Sequence, residues 1–487
     1  MSRPRLILNA FTMNTATHVS YGSWRNPDTR SVEFDQLDAW VELVQLLERG
    51  KFDSIFFADV VGLYDDYRGG WDTYLREGLQ IPNHDPSAIV SALALVTEHL
   101  GLVITSSVLQ DHPFSFARKI STLDHASKGR IGWNVVTSAL SNSARNFGLL
   151  EREEHDERYV WAEEYTEVVY KLWEGSWDDG ALVRDRERGI HADPDRVHKI
   201  NHVGTRYRVE GPHLSFPSPQ RTPVLFQAGS SSAGRAFAAR HAEGVFINSA
   251  SPEGARKVID DTRAKAVAAG RRRDDIKFFQ GLSFVVGSTE AEARAKAAEH
   301  DEYLSIDGLI AHRSGGIGID LGGLDHETPI GDLAAHVQGT RSTIEALIAA
   351  APPGTNPTIA DLIRQQQEAT RIVGTPEQIA DALELWQDAG VDGLNIRYIT
   401  TPGTFAEFIE HVVPELRRRG LAQSEYRPGT LREKLSGAEA HLPQRHPARQ
   451  WRGAFGSPVI SACSVALDAT PHAENPKGPA ISRSSPS

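Results

Sequence analysis

Eight short apolar runs recur along the chain, and stretches with apolar residues at helical spacing lie between them. The runs are residues 6–11, 52–58, 101–108, 131–136, 223–227, 244–248, 276–286 and 393–398. The helical patterns include residues 34–48, 113–126, 155–173, 251–268, 289–303, 375–389 and 405–419. Such alternation predicts parallel strands joined by crossover helices. The count of eight predicts a closed (β/α)8 TIM barrel. An open doubly wound sheet is the alternative. No Gly-x-Gly-x-x-Gly follows the first run, so the usual dinucleotide fingerprint is missing. Two irregular stretches, 177–221 after the fourth strand and 304–360 after the seventh, read as excursions from the barrel. From residue 440 the composition shifts to Pro, Ser, Ala and His without period. The expectation is a barrel domain over 1–439 and a flexible low-complexity tail over 440–487.

A chain of 487 residues with 40% hydrophobic content has enough apolar surface for a large core. The formal net charge of −12 argues against a nucleic-acid binder that relies on phosphate contacts. Cys463 is the one cysteine, which excludes an internal disulfide and a thiolate zinc site. His155 has no histidine partner at i+4 and no cysteine neighbour, so no metal site is expected there. The first residues enter a strand without a signal-peptide apolar region, and no run is long enough to span a bilayer. A cytoplasmic enzyme without a membrane partner is the expectation.

Chemistry in a parallel barrel sits at the carboxyl ends of the strands. Asp59 ends the second strand, where it can accept from a ligand N–H or merely cap a loop. Thr105 and Ser107 end the third. Asn134, Thr137 and Ser138 lie in Gly129-Arg130-Ile131-Gly132-Trp133-Asn134-Val135-Val136-Thr137-Ser138. Asn134 is unusual inside an apolar strand and needs a partner when buried. His155 and Tyr159 share one face near a helix start, beside Arg158. Gly229-Ser230-Ser231-Ser232-Ala233-Gly234-Arg235 follows the fifth strand and opens a helix. Small residues, hydroxyls and a helix N-terminus together suit a phosphate, although an ordinary helix cap looks the same. No Lys-Ser/Thr completes a nucleotide-triphosphate loop. His312 and Arg313 fall in the second excursion, either in a lid or in an exposed loop.

The 129–138 segment, Asn146-Phe147-Gly148 and His155-Asp156-Glu157-Arg158-Tyr159 resemble the nitrilotriacetate and dibenzothiophene-sulfone monooxygenase group, a branch of the bacterial luciferase-like flavin monooxygenases. Further matches are Arg49-Gly50-Lys51-Phe52-Asp53, Gln227-Ala228-Gly229-Ser230-Ser231 and Gly374-Thr375-Pro376-Glu377. The resemblance covers roughly residues 5–435.

This resemblance implies a barrel that uses reduced FMN (FMNH2) and O2, with a separate NAD(P)H:flavin reductase and a homodimer or homotetramer. The reaction it implies is insertion of one oxygen atom into a small organic substrate such as a sulfone, aminopolycarboxylate, alkane or haloaromatic. Flavin contacts carry over to Asp59, Ser107, Asn134, Thr137, Ser138, His155, Tyr159, Ser230 and Ser231, with Tyr159 and Ser231 on the phosphate. Phe11, Trp24 and Phe56 are the expected pocket walls. Phe56 and His312 are the catalytic candidates. Leu109-Gln110-Asp111-His112-Pro113 and Arg397 border the substrate side, depart from or vary within the family pattern, and leave the substrate open. Two other readings stand beside this one: a flavin-binding protein without turnover, and a barrel enzyme acting on a phosphorylated substrate.

Overall fold

The computed structural model describes residues 3–456 except 139, 151–152, 230, 318–319, 335–353 and 438. The strands are β1 (Ile7–Met13), β2 (Ser54–Ala58), β3 (Gly101–Ser107), β4 (Ile131–Val136), β5 (Val224–Gln227), β6 (Gly244–Ile247), β7 (Lys277–Val286) and β8 (Gly393–Arg397). Each pairs in parallel with its neighbours in chain order. The β8–β1 pairing, with Ile7 opposite Gly393 and Phe11 opposite Arg397, closes the ring. The barrel is therefore the predicted (β/α)8 type, and the open-sheet alternative falls. A short strand at Arg371–Gly374 pairs with the far half of β7, Ser283–Val286.

Side chains alternate between the two faces of each strand. On β1 the outward set, Leu6, Leu8 and Ala10, packs with the surrounding helices. The inward set includes Ile7, Asn9 and Phe11. Phe11, Phe56, Phe226 and Phe279 meet inside the barrel and fill it. The Phe56 ring lies 5.6 Å from Phe11 and 5.4 Å from Phe226, and Phe226 lies 5.7 Å from Phe279. Phe56 is 1% exposed. This corrects its assignment as a pocket wall and catalytic candidate. It is barrel filling, with Ala58 one inward position nearer the rim.

A short helix, Leu431–Ser436, packs against the amino end of the barrel. Its Leu431 joins the phenylalanine cluster. Its buried Arg432 pairs with Glu243 at 2.6 and 2.9 Å and donates to the Thr222 and Pro223 carbonyls, both at 2.9 Å. The guanidinium thus ties the C-terminal helix to the entry of β5.

The first excursion carries two antiparallel pairs, Leu182–Asp185 with Ile190–Ala192 and His202–Val203 with Arg208–Val209. The second contains helices Ile306–Ile317, Ile330–Ala334 and Ile359–Glu368. These helices share a separate small core with the long loop after β2, in which Tyr67, Tyr74 and Leu79 pack on Leu309, Ile310 and Ile363. The loop and the excursion form one cap over the carboxyl side.

The chain does not leave the fold at residue 440, which corrects the start of the expected tail. Leu442, His446 and Ala448 are buried. His446 hydrogen-bonds the His241 carbonyl at 2.9 Å, and the Lys171 ammonium sits 4.4 Å from the Trp451 ring. Residues 457–487 lie outside the described residues. Polar, period-free composition hid a segment anchored by a few isolated apolar side chains. Leu442→Ala should cost about 2–4 kcal/mol of unfolding free energy in a denaturant titration, as for a buried leucine. A change near zero would show that this segment does not pack on the barrel.

Candidate active site

One arc of the mouth is built from the ends of β2 to β5. Asn134 faces inward on β4, opposite Thr105 of β3. Its Nδ2 donates to Thr105 Oγ1 at 2.9 Å, while its buried Oδ1 has no partner among the described residues. Ser107 Oγ accepts from Ser138 Oγ at 2.7 Å and from the Leu109 N–H at 3.2 Å. Ser138 has a φ of 49°, a left-handed conformation. Its carbonyl accepts from Arg158 Nη1 at 2.6 Å. Thr137 borders the same recess, with Leu109 and Trp161. Asp59 Oδ1 accepts from Asn83 Nδ2 at 2.7 Å and the Val60 N–H at 2.8 Å. Burial pushes the Asp59 pKa up to about 6 despite those donors.

The turn after β5 wraps around Tyr159. A Cβ on Gly229 would lie 2.5 Å from Tyr159 Oη, and one on Gly234 would lie 2.7 Å from it. No side chain fits at either position, so the backbone closes on the phenol. Gln227 Oε1 accepts the Gly229 N–H at 2.7 Å. Ser231 Oγ accepts the Gly234 N–H at 3.0 Å and caps helix Ser232–His241. It also hydrogen-bonds Tyr159, whose pKa is raised by burial. Ser230 lies outside the described residues. His155 stands at the exposed edge, its Nδ1 2.8 Å from Asp156 and its ring 5.3 Å from Tyr159.

The opposite arc carries His312, and here the structure adds partners that sequence reasoning did not single out. His312 Nδ1 lies 2.8 Å from Tyr21 Oη, and its Nε2 lies 3.3 Å from Gln80 Nε2. Gln80 Nε2 also donates to the His18 carbonyl at 3.5 Å. That carbonyl fixes the amide orientation, because the amide oxygen would be repelled there. Gln80 therefore donates to His312 Nε2, and Nδ1 carries the ring proton toward Tyr21. In that tautomer the Tyr21 oxygen is the acceptor. The Tyr64 ring stands edge-on to His312 at 5.5 Å. Gly315 leaves room for it, since a Cβ there would lie 2.1 Å from Tyr64 Cδ1.

Burial keeps this arc neutral. Desolvation, followed by Arg313, lowers the His312 pKa to about 4. Desolvation, followed by His312 and Arg397, lowers that of His18 to about 3. Burial raises Tyr21 well above the usual phenol range. The one sequence-level signal for these residues was His18 and Tyr21 three apart in a loop directly after a barrel strand. Gln80 and Tyr64 gave none, because folding of the β2 loop places them. The fold thus gathers Asp59, Ser107, Asn134, Thr137, Ser138, Tyr159 and Ser231 around one arc and His312 on the other, leaves His155 at the edge, and puts Phe56 beneath the floor. Among the described residues no group of three His, Cys, Asp or Glu could hold a metal, and no helix is long and apolar enough to cross a membrane.

A barrel with this mouth defines a class, and the comparisons agree with it. The family model of luciferase-like monooxygenases matches residues 11–393. The chain is 45% identical over 461 residues to the dimethyl-sulfide monooxygenase of Hyphomicrobium sulfonivorans, covering 93% of this chain and 95% of that protein. The crystal structure of DmoA from that organism superposes with a TM-score of 0.86 at 44% identity, over 93% of this chain and 96% of the other. The long-chain alkane monooxygenase of Geobacillus thermodenitrificans is 45% identical over 455 residues, 92% of this chain and 98% of that one. A riboflavin lyase solved with modified FMN and riboflavin superposes with a TM-score of 0.82 at 38% identity, over 92% and 99% of the two chains. The chain belongs to the luciferase-like monooxygenase family, and it is a flavin-dependent monooxygenase.

The buried histidines make stability depend on pH. The His18 pKa falls from 6.5 to about 3 on folding, so the unfolded state takes up its proton first as pH drops. The stability associated with neutral His18 is complete above its unfolded pKa and is lost as pH falls toward 3. Asp59 has the opposite sign: its contribution is present below its unfolded value of 3.8 and is lost as pH rises through about 6. His18→Asn should therefore flatten the fall in unfolding free energy between about pH 6 and 4, by up to about 1.4 kcal/mol per pH unit. Equal slopes in the two proteins would mean that folded His18 protonates as freely as unfolded.

Proposed function

We propose that this chain is the oxygenase component of a two-component system. It binds FMNH2 delivered by an NAD(P)H:flavin reductase and places one oxygen atom from O2 into a small organic substrate. The observation that carries this reading is the pairing of two arcs: a phenol enclosed by Gly229 and Gly234 at a helix N-terminus, and a neutral, half-buried Tyr21–His312–Gln80 chain facing it.

The residues fit the cofactor. Tyr159, Ser231 and the start of helix Ser232–His241 offer O–H and N–H donors and a positive field to a terminal phosphate. The unpaired Asn134 Oδ1 offers an acceptor to a flavin N–H inside the mouth. Asp59, Ser107, Thr137, Ser138 and Ser230 complete the flavin-binding set, with His155 at its outer edge. A structural relative was solved with modified FMN, which supports a flavin as the cofactor of this barrel.

When bound, reduced FMN supplies the two electrons that let one oxygen of O2 go to substrate and the other leave as water. The chain's own work is to hold protons and keep water out. The aromatic floor below and the cap of loop and excursion above enclose the mouth. His312, held neutral, fixes the Tyr21 hydroxyl and can replace its proton through Nδ1–H. The reading implies a cytoplasmic, homo-oligomeric enzyme that works beside its reductase.

Anaerobic titration with FMNH2 tests the first arc. Tyr159→Phe and Ser231→Ala should each weaken binding by roughly 1–3 kcal/mol, the range for a charge-assisted hydrogen bond. Unchanged affinity in both places the phosphate elsewhere. The second arc is tested by product partition. His312→Asn should keep FMNH2 affinity while peroxide release rises at the expense of oxygenated product. An unchanged product-to-peroxide ratio removes His312 from the chemistry.

A further inference from the structure

Arg397 ends β8 and faces inward, in register with Phe11 of β1. Two residues earlier, Asn395 also points inward, where its Oδ1 accepts from Asn9 Nδ2 at 3.0 Å. Arg397 therefore stands one inward layer above that pair, at the rim. Its only hydrogen bonds among the described residues run from Nη2 to the Thr370 hydroxyl and, at 3.4 Å, to the Thr370 carbonyl. Its Nε is buried without a partner. No carboxylate reaches the guanidinium among the described residues. Asp301, the acid that lines the same recess, is held at 2.6 and 2.9 Å by both Nη atoms of Arg371.

The neighbours do not neutralise Arg397. His18 and His312 stay uncharged, and Tyr21 keeps its proton. Burial lowers the Arg397 pKa to about 10, which still leaves it a cation at neutral pH. A half-buried guanidinium whose Nε is buried and whose N–H donors meet no carboxylate among the described residues carries uncompensated positive charge, which attracts an anion. The recess beside it, bounded by Ser20, Tyr21, Ser283 and Tyr398, has a volume of about 40 Å³. That is the space of about three water-sized groups, the size of a carboxylate or sulfonate head.

We propose that the substrate carries an anionic head, a carboxylate or a sulfonate, and that Arg397 binds it so that the apolar remainder lies toward the Tyr21–His312 arc. This rests on the mouth being the substrate site of the monooxygenase proposed above. It gives Arg397 a binding role that differs from flavin binding and from the proton chain.

The test uses the full chain and matched probes: hexanoate, hexanesulfonate and 1-hexanol, with decanoate and 1-decanol as a longer pair. Equilibrium affinity is measured by calorimetry for the unmodified chain, Arg397→Met and Arg397→Lys, and FMNH2 affinity is measured separately in each. The expected result is a preference of roughly 10- to 100-fold for an anion over its alcohol in the unmodified chain. Arg397→Met should abolish that preference with FMNH2 affinity retained, and Arg397→Lys should keep part of it. The relative affinities of hexanoate and hexanesulfonate decide which head the recess takes. Absence of an anion preference in the unmodified chain, including absence of any binding, overturns the proposal without use of a variant. Persistence of the preference in Arg397→Met also overturns it, by assigning the anion to another group. Loss of FMNH2 binding in the unmodified chain would instead strike the flavin reading, whatever the probes do.

Discussion

The contact among Phe11, Phe56, Phe226 and Phe279 is the constraint on which the rest of this molecule depends. A closed ring of eight strands encloses a space that side chains have to fill. Four phenyl rings meet there, and Leu431 packs against them from the amino side. Chemistry is thereby confined to the carboxyl rim. Everything above the plug is mouth, and everything outside it is helix packing. The Phe11 ring also touches His18 at 4.7 Å and Phe246 at 4.8 Å, so the top of the plug is the floor of the active site.

On that floor stand two arcs of different character. The arc from β3 to β5 is rich in hydroxyl, amide and backbone donors and ends in a glycine-lined turn that admits no side chain. The facing arc comes from the loops after β1 and β2 and the excursion after β7. It is aromatic and histidine-rich, and burial keeps its ionisable groups neutral. One arc suits a polar cofactor with a phosphate. The other suits the handling of protons next to oxygen with water excluded. The cap that brings the second arc into place has its own small core, so proton chemistry at the rim depends on loop packing rather than on barrel strands.

How much of this was legible in the sequence follows from periodicity. Strand ends are local features, so Asp59, Ser107, Asn134 and Ser138 could be picked out from the position of polar residues after apolar runs. The Gly229–Gly234 turn was visible for the same reason. Phe56 was misread because an apolar strand residue looks the same whether it faces a pocket or fills a barrel, and only its register against Phe11 and Val103 decides. Gln80 was not legible at all. It lies in an irregular loop, and its role comes from meeting His312, 232 residues away, and the His18 carbonyl. The segment from 440 to 456 was misread because isolated anchors such as Leu442 and His446 leave no periodic trace.

The sequence by itself determined the barrel, its closure from eight runs, the family, and the polar strand ends of one arc. Those properties depend on alternation and spacing within short windows. The tertiary structure alone decided which inward residues are plug and which are pocket, and it assembled Tyr21, Gln80 and His312 into one hydrogen-bonded chain. It also left Arg397 half-buried with no carboxylate partner among the described residues. Each of these depends on contacts between residues far apart in the chain, and on a low-polarity environment that exists only once the cap has closed over the rim.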